Sequence, residues 1–161
     1  MRPLSRLLER HQMPFAVGSA DAVVTISNST ANAISNEFDV DLIDIPVIYL
    51  GITPAVKVAP LNSILQNGIC MPYFLFVGTL EPRKNLKGLL AAYASLDASI
   101  RDDVMLVIVG GVGWGEDIHA LIRSFSLEGN IRVLGYIDDS LLAALYDNAM
   151  FLAMPSIYEG F

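Results

Sequence analysis

Apolar runs alternate with amphipathic segments along residues 72–154. The runs resemble strands buried on both faces, and the segments between them repeat an apolar residue every three or four positions, as helices do. The pattern predicts four strands, "PYFLFVGT", "VMLVIVGG", "IRVLGY" and "MFLAMPS", and three helices, "NLKGLLAAYASL", "EDIHALIRSFSL" and "DDSLLAALYDNA". Strands and helices in alternation form parallel β-α-β units with right-handed crossovers. We therefore predict an α/β fold with a doubly wound, Rossmann-like parallel sheet.

The first 71 residues follow a less regular pattern. They predict a short amphipathic helix at "MRPLSRLLERHQMP", a helix at "TANAISNEF" behind the cap residues "SNST", and strands at "ADAVVTIS" and "IPVIYLGI". The first helix suits either the surface of its own domain or an anionic membrane. Residues 53–71 contain prolines and little periodicity, so they are predicted to be a linker.

The composition excludes several classes of protein. The chain has 161 residues, 53% of them hydrophobic, and 10 Lys and Arg against 17 Asp and Glu, a net charge of -7. A general nucleic-acid binder would carry a basic face, so we expect no nucleic-acid partner. No apolar stretch reaches the roughly 18 residues of a membrane span. The acidic pair in "IDDS" is best explained as a helix cap, so no metal site is predicted.

Three of the ten cations lie close together around the turn "GTLEPRKN", residues 78–85, and they are Arg83, Lys84 and Lys87. The turn follows a predicted strand at the edge where parallel sheets bind ligands. Asn85 is placed to cap the next helix, and cations at a helix N-terminus oppose its dipole unless an anion is bound. Phosphate fits best. The alternative, equally open at this point, is a solvated loop in which the cations pair with Glu81.

A second informative stretch is "PSIYEGF", residues 155–161. If the strand order is 3-2-1-4, this stretch and "GTLEPRKN" face each other across a crevice at the switch point of the sheet. One side then brings cations for a diphosphate, and Glu159 brings a carboxylate that can accept hydrogen bonds from hydroxyl groups. A phosphate and a polyol together indicate a nucleotide sugar. Taken alone, Glu159 is more often a surface carboxylate.

The stretch "GGVGWGED", residues 110–117, looks like a dinucleotide-binding motif. Its glycine spacing differs from Gly-x-Gly-x-x-Gly, and no acidic ribose ligand ends the following strand, which ends in Tyr136. We therefore predict a flexible connection in which Trp114 covers an apolar edge, and not the site of a nicotinamide oxidoreductase.

Four motifs in order, "GTLEPRKNLKGLL", "LVIVGGVGWGEDI", "IRVLGYIDDSLLAALYDNA" and "MPSIYEGF", resemble the donor-binding domain of the family-4 retaining glycosyltransferases. These enzymes, also called glycosyl transferases group 1, have the two-domain GT-B architecture. The resemblance covers about residues 18–161. It implies that residues 1–52 are the last elements of the acceptor-side domain, that 53–71 are the linker, and that 72–161 are an incomplete donor-binding domain.

The resemblance also implies roles for individual residues. Lys84 and Arg83 would bind the donor diphosphate and act in catalysis, with Gly78 keeping the loop close. Thr79 also belongs to the implied donor-binding set, although it stands where many members carry an arginine, which removes one phosphate contact. Glu159 would be the first glutamate of the Glu–seven residues–Glu motif, a catalytic carboxylate near the transferred sugar. The nucleobase would lie against the backbone of three residues and the side chain of a fourth, namely Gly135, Tyr136, Ile137 and Leu141.

The activity implied is transfer of a sugar from a nucleotide-diphosphate donor to a glycan or lipid-linked saccharide acceptor. By this resemblance the transfer retains the anomeric configuration, is mannosyltransferase-like, serves polysaccharide biosynthesis and needs no metal or other cofactor. We expect a cytoplasmic location at the inner face of the membrane, with peripheral membrane contact in the full enzyme. Alternatives are a non-catalytic nucleotide- or phosphate-binding module and a nucleotide-sugar epimerase of the same architecture.

The chain stops at Phe161, inside the Glu–seven residues–Glu motif. We therefore expect the chain alone to be inactive in sugar transfer, because the second glutamate and most of an acceptor domain lie outside it. We also expect it to self-associate through the apolar strand "MFLAM", or to cover that strand with its own residues 1–50.

Overall fold

The computed structural model describes residues 3–53, 58–70, 72–115 and 117–160. The chain divides into two compact units. The first comprises the described residues of Met1–Thr53 and Glu159–Phe161, and the second those of Pro54–Tyr158. Each unit has its own secondary structure and its own buried residues.

The first unit is helical. Helix α1 spans Pro3–Ser19, helix α2 spans Asn28–Phe38, and a single 3-10 turn spans Leu42–Asp44. Ser27 caps α2, because its side-chain oxygen accepts a hydrogen bond from the backbone N–H of Thr30. The prediction of a helix behind "SNST" is therefore confirmed, and the helix begins two residues earlier than predicted.

The two strands predicted in the first unit, residues 20–27 and 45–52, are wrong as strands. They meet in one isolated parallel bridge between Thr25 and Val47. The N–H of Thr25 donates to the carbonyl of Pro46 at 3.0 Å, and the N–H of Ile48 donates to that of Thr25 at 2.7 Å. An apolar, β-branched run becomes a strand only where a partner offers a row of backbone groups, and here the pairing ends after one residue.

The second unit contains a parallel sheet and its helices. In chain order its elements are α3 Leu61–Gln66, β1 Tyr73–Val77, a 3-10 turn Pro82–Lys84, α4 Leu86–Ala94, α5 Ala98–Asp103, β2 Met105–Val109, α6 Ile118–Ser124, β3 Ile131–Gly135 and α7 Asp139–Asn148. The three strands and helices α4, α6 and α7 confirm the predicted alternation. The pattern missed α5 and also α3, which lies inside the stretch predicted as a linker.

The strands lie in the order β1-β2-β3, all parallel. On the other side of β1, Leu152 pairs with Leu75 in a parallel bridge. The N–H of Leu75 donates to the carbonyl of Phe151 at 2.9 Å, and the N–H of Ala153 donates to that of Leu75 at 2.7 Å. This arrangement agrees with the expected 3-2-1-4 order. The strand predicted at "MFLAMPS" is reduced to this one bridge, and the side chains of Met150, Phe151 and Met154 are more than half exposed.

Two apolar clusters cover the two faces of the sheet, because successive strand residues point to opposite sides. Phe74 and Phe76 of β1 pack on one face with residues of α4 and α6. Tyr73 and Leu75 pack on the other face with residues of α3 and α7. The crossovers through α4 and α6 use one face, and α7 returns the chain along the other, which confirms the doubly wound α/β fold.

Tyr73 joins β1 to α7. Its hydroxyl group donates to the carbonyl of Leu145 at 2.9 Å, and burial raises its pKa above 10.0.

In the described part of the chain, no helix combines the length and the apolar character that crossing a membrane requires.

Candidate functional site

The cationic turn, defined as residues 78–85, begins where β1 ends. Gly78 has a φ of 152°, in the region that favours glycine. A Cβ built on Gly78 would lie 3.4 Å from Cε of Lys84, so the lysine side chain passes directly over this glycine. A 3-10 turn makes this return possible, with the N–H of Lys84 donating to the carbonyl of Glu81 at 3.0 Å. Lys84 is thereby placed at the carboxyl end of β1, as predicted from the sequence. Thr79 beside it is exposed.

Arg83 is paired with Glu81. Its Nε donates to Oε2 of Glu81 at 2.9 Å, and the two side chains are 44% and 23% exposed. This is the pairing that the alternative interpretation of the turn expected for Arg83. An exposed ion pair of this kind contributes only about 0–1 kcal/mol, so it does not prevent Arg83 from turning to a bound anion.

Asn85 does not cap α4 with its side chain, and that prediction is wrong. Its backbone is left-handed, with φ 54° and ψ 37°, and its side chain lies against Gly88 in the first turn of the helix without making a capping hydrogen bond. The side-chain Nδ2 donates instead to the carbonyl of Pro155 at 3.2 Å. The N–H of Ile157 donates to the carbonyl of Arg83 at 2.8 Å. Residues 155–157 therefore lie along the cationic turn, as the proposed strand order required.

The turn after β2, defined as residues 110–115 and 117, is in backbone contact with the cationic turn. A Cβ on Gly110 would lie 1.9 Å from the carbonyl oxygen of Gly78. Farther out, the N–H of Leu80 donates to the carbonyl of Gly111 at 3.1 Å. Trp114 is 48% exposed and, with residues of α4 and α6, lines a mainly apolar cleft of about 370 Å³.

The residues predicted to contact a nucleobase lie at the end of β3 and the start of α7. Gly135 ends β3 with φ 69°, and its carbonyl accepts from the N–H of Gly110 at 2.8 Å. Tyr136 is 88% exposed and Ile137 is half-buried. Leu141 is buried in the cluster between the sheet and α7, so its side chain serves packing.

Asp138 caps α7, which confirms the interpretation of "IDDS". Its Oδ1 accepts from the N–H groups of Ser140 and Leu141 and from the Ser140 hydroxyl. The Ser140 hydroxyl and the Leu141 N–H hold the pKa of Asp138 below its ordinary value of 3.8. Among the described residues, no three His, Cys, Asp or Glu side chains are grouped so that they could hold a metal ion.

Glu159 belongs to the first unit and is half-buried. The next residue, Gly160, is held by α2, because its carbonyl accepts from the hydroxyl groups of Ser27 at 2.9 Å and Thr30 at 3.0 Å. The sequence indicated these hydroxyls only as helix caps. Nothing in the sequence pairs them with a residue about 130 positions later.

A doubly wound sheet with a lysine over the glycine at its switch point defines a class of α/β domain that typically binds nucleotides at this edge. The sequence model of the family described as glycosyl transferases group 1 matches residues 71–161, and the chain belongs to that family. The resemblance of the four motifs to this family is confirmed.

Named relatives agree with this assignment. O-antigen chain mannosyltransferase B of Escherichia coli is 44% identical over 90 residues, which are 55% of this chain and 24% of that protein. O-antigen chain mannosyltransferase RfbU of Salmonella typhimurium is 23% identical over 158 residues, or 98% of this chain and 42% of that protein. The chain thus spans less than half the length of either relative.

The fold also has solved counterparts. The structure of Anabaena HepE in complex with UDP and glucose superposes with a TM-score of 0.77 at 23% identity, covering 94% of this chain and 42% of that one. A likeness at this identity supports the fold of the described chain.

Proposed function

We propose that this chain is the donor-binding part of a glycosyltransferase, mannosyltransferase-like, which moves a sugar from a nucleotide-diphosphate donor to a saccharide or lipid-linked acceptor. The single observation that carries this proposal is the position of Lys84 over Gly78 at the carboxyl end of β1. Family membership supports transfer of a glycosyl group, and the names of the two relatives support mannose as the sugar. That both relatives are named as transferases favours transfer over epimerisation.

In this proposal the cationic turn binds the diphosphate. Lys84 contributes a positive charge beside a glycine backbone that lets the phosphate come close, and Arg83 joins it by exchanging Glu81 for the phosphate. As the glycosidic bond breaks, the leaving diphosphate gains negative charge, which these cations stabilise electrostatically. We propose that they supply the charge that a metal ion provides in other transferases, so that no cofactor is required.

The other predicted roles complete the proposed donor site. The backbone of Gly135, Tyr136 and Ile137 contacts the nucleobase. The side chain of Leu141 packs nearby. Glu159 accepts hydrogen bonds from hydroxyl groups of the sugar. Retention of configuration belongs to this proposal, and so does a cytoplasmic location at the inner face of the membrane, where lipid-linked acceptors are accessible.

Titration calorimetry with GDP and UDP tests the diphosphate site. We expect one of the two nucleotides to bind, and Lys84→Ala to weaken that binding by about 1.5–3 kcal/mol, the typical loss of one charge-assisted contact. Arg123→Ala is the matched control, because it removes an exposed cation from the last turn of α6. Equal affinities of the unsubstituted chain and Lys84→Ala would refute the assignment of Lys84.

A further inference from the structure

We propose that Ser27 and Thr30 are positioning residues for Glu159, which they hold in place through the carbonyl of Gly160. We call this set of two hydroxyl groups and one carbonyl the hydroxyl clamp. The inference rests on the proposed function, because it assumes that Glu159 contacts the sugar of the donor. All three members belong to the first unit, as does Glu159 itself.

The hydrogen bonds of the clamp are mutually consistent. Each hydroxyl has one proton, and a carbonyl oxygen has two lone pairs, so Gly160 can accept from Ser27 and Thr30 at once when the Ser27 proton is given to Gly160 and not to Oγ1 of Thr30, which lies 3.1 Å away. The distances are 2.9 Å and 3.0 Å. Ser27 still caps α2, because its oxygen accepts from the N–H of Thr30 at 3.1 Å. Ser27 is only 6% exposed, so little water competes for these bonds.

Side-chain packing does not hold Gly160 in place. The residue has no side chain, and a Cβ built on it would meet no atom within 4 Å. A glycine loses more conformational freedom on ordering than any other residue. Its position therefore depends on hydrogen bonds to its backbone, and the two clamp bonds lie one peptide unit away from Glu159.

The upstream end of the same stretch is fixed in the second unit. Asn85 binds the carbonyl of Pro155, and the carbonyl of Arg83 binds the N–H of Ile157. Within the first unit, the clamp is the anchor on the downstream side of Glu159. Releasing the clamp should loosen Glu159 while leaving residues 155–157 and the cationic turn in place.

The clamp should therefore affect binding of the sugar of the donor and leave binding of its diphosphate unchanged. Thr30→Val has nearly the same shape and removes one donor to Gly160, together with the Oγ1 that can accept from the Ser27 hydroxyl at 3.1 Å. It keeps the backbone N–H that Ser27 caps. Thr30→Ser restores the hydroxyl, and Ser29→Ala removes an exposed hydroxyl from the same turn as a matched control. We avoid Ser27→Ala as the main variant, because it also removes the helix cap.

The experiment compares affinities for GDP-mannose and GDP, or for UDP-glucose and UDP if the chain prefers uridine. We expect Thr30→Val to weaken binding of the nucleotide sugar about fivefold to tenfold, the equivalent of one lost hydrogen bond, and to change binding of the nucleoside diphosphate less than twofold. Thr30→Ser and Ser29→Ala should bind both ligands as the unsubstituted chain does. Hydrogen exchange of residues 158–160 should become faster in Thr30→Val alone.

The outcomes separate the inference from the proposed function. If the unsubstituted chain binds neither nucleotide sugar, both are overturned. If it binds a nucleotide sugar and its diphosphate equally well, the role of Glu159 and the clamp fail while the diphosphate site stands. If Thr30→Val binds the nucleotide sugar normally, or exchange rises without a change in affinity, the clamp is a structural tether and only the inference fails.

Discussion

The turns after β1 and β2 are built alike and carry different chemistry. Each begins with a glycine in the left-handed half of backbone space, Gly78 with φ 152° and Gly110 with φ 146°. The cationic turn then presents Lys84 and Arg83, whereas the turn after β2 presents further glycines and Trp114. Side chains and hydrogen bonds to residues 155–157 make the first turn the candidate site, although the second turn has more glycine.

The difference shows that a glycine-rich turn after a strand is not evidence for a phosphate site by itself. A Cβ on Gly110 would meet the carbonyl oxygen of Gly78, and a Cβ on Gly113 would lie 2.7 Å from that of Leu80. The second turn needs these glycines because it packs on the backbone of the first. Packing between the turns therefore explains glycines that otherwise suggest a bound dinucleotide.

The largest effect is expected from Gly110→Ala. The new Cβ would overlap the Gly78 carbonyl and force a backbone angle that side chains rarely adopt, and strain and overpacking together should cost about 2–6 kcal/mol of unfolding free energy. Urea unfolding followed by circular dichroism measures this loss.

Gly111→Ala is the matched control, because a Cβ there would meet no atom within 4 Å. We expect it to change the unfolding free energy by less than about 0.5 kcal/mol. Similar losses for the two variants would show that the turns are not in contact.

A smaller effect is expected from Glu81→Gln. The substitution removes the carboxylate that pairs with Arg83, so the guanidinium no longer has to leave that carboxylate when a diphosphate binds. We expect binding of the nucleoside diphosphate to become about twofold to fivefold tighter, in line with the small energy of an exposed ion pair. Titration calorimetry at low salt measures this change in affinity.

The double variant Glu81→Gln with Arg83→Ala is the control, because it removes the cation as well and should lose the gain. If Glu81→Gln binds more weakly than the unsubstituted chain, the pair supports the structure of the turn and Arg83 is not a phosphate ligand.

The smallest effect is expected from Asp138→Asn in the third turn, which follows β3. Asp138 has a lowered pKa in the folded chain, so its charge stabilises the fold above the ordinary value near 3.8. This stabilisation is lost as the pH falls through the lowered folded pKa. Asp138→Asn should therefore lower the melting temperature slightly at pH 6, and the difference should vanish toward pH 2.

Asp139→Asn serves as the control for Asp138→Asn, because it removes a neighbouring charge and leaves the cap intact. A melting-temperature difference for Asp138→Asn that stays constant from pH 6 to pH 2 would contradict a role for the ionised cap.

The sequence predicted best the part of the fold that repeats a pattern. Between residues 72 and 149 the strands and the three crossover helices were found where apolar runs and helical spacing placed them. In contrast, residues 20–27, 45–52 and 150–156 have the composition of strands but form single bridges. Strand formation depends on a partner's backbone, which composition does not reveal.

The sequence predicted the charged residues of the candidate site but not the long-range hydrogen bonds that hold its segments together. The positions of Lys84 and Gly78 followed from a cationic turn at the end of a strand. The left-handed conformation of Asn85, its bond to Pro155 and the bonds from Ser27 and Thr30 to Gly160 did not. These bonds join residues 70 to 133 positions apart, and no local pattern records them.

The close approach of Gly110 to Gly78 has a consequence for engineering. A designer who grafts the cationic turn of another member of the family onto this chain also changes the surface on which the turn after β2 rests. With only 1.9 Å between a Cβ on Gly110 and the Gly78 oxygen, the turn after β2 has no tolerance for a shifted backbone. The two turns should therefore be transplanted together, as a single cassette.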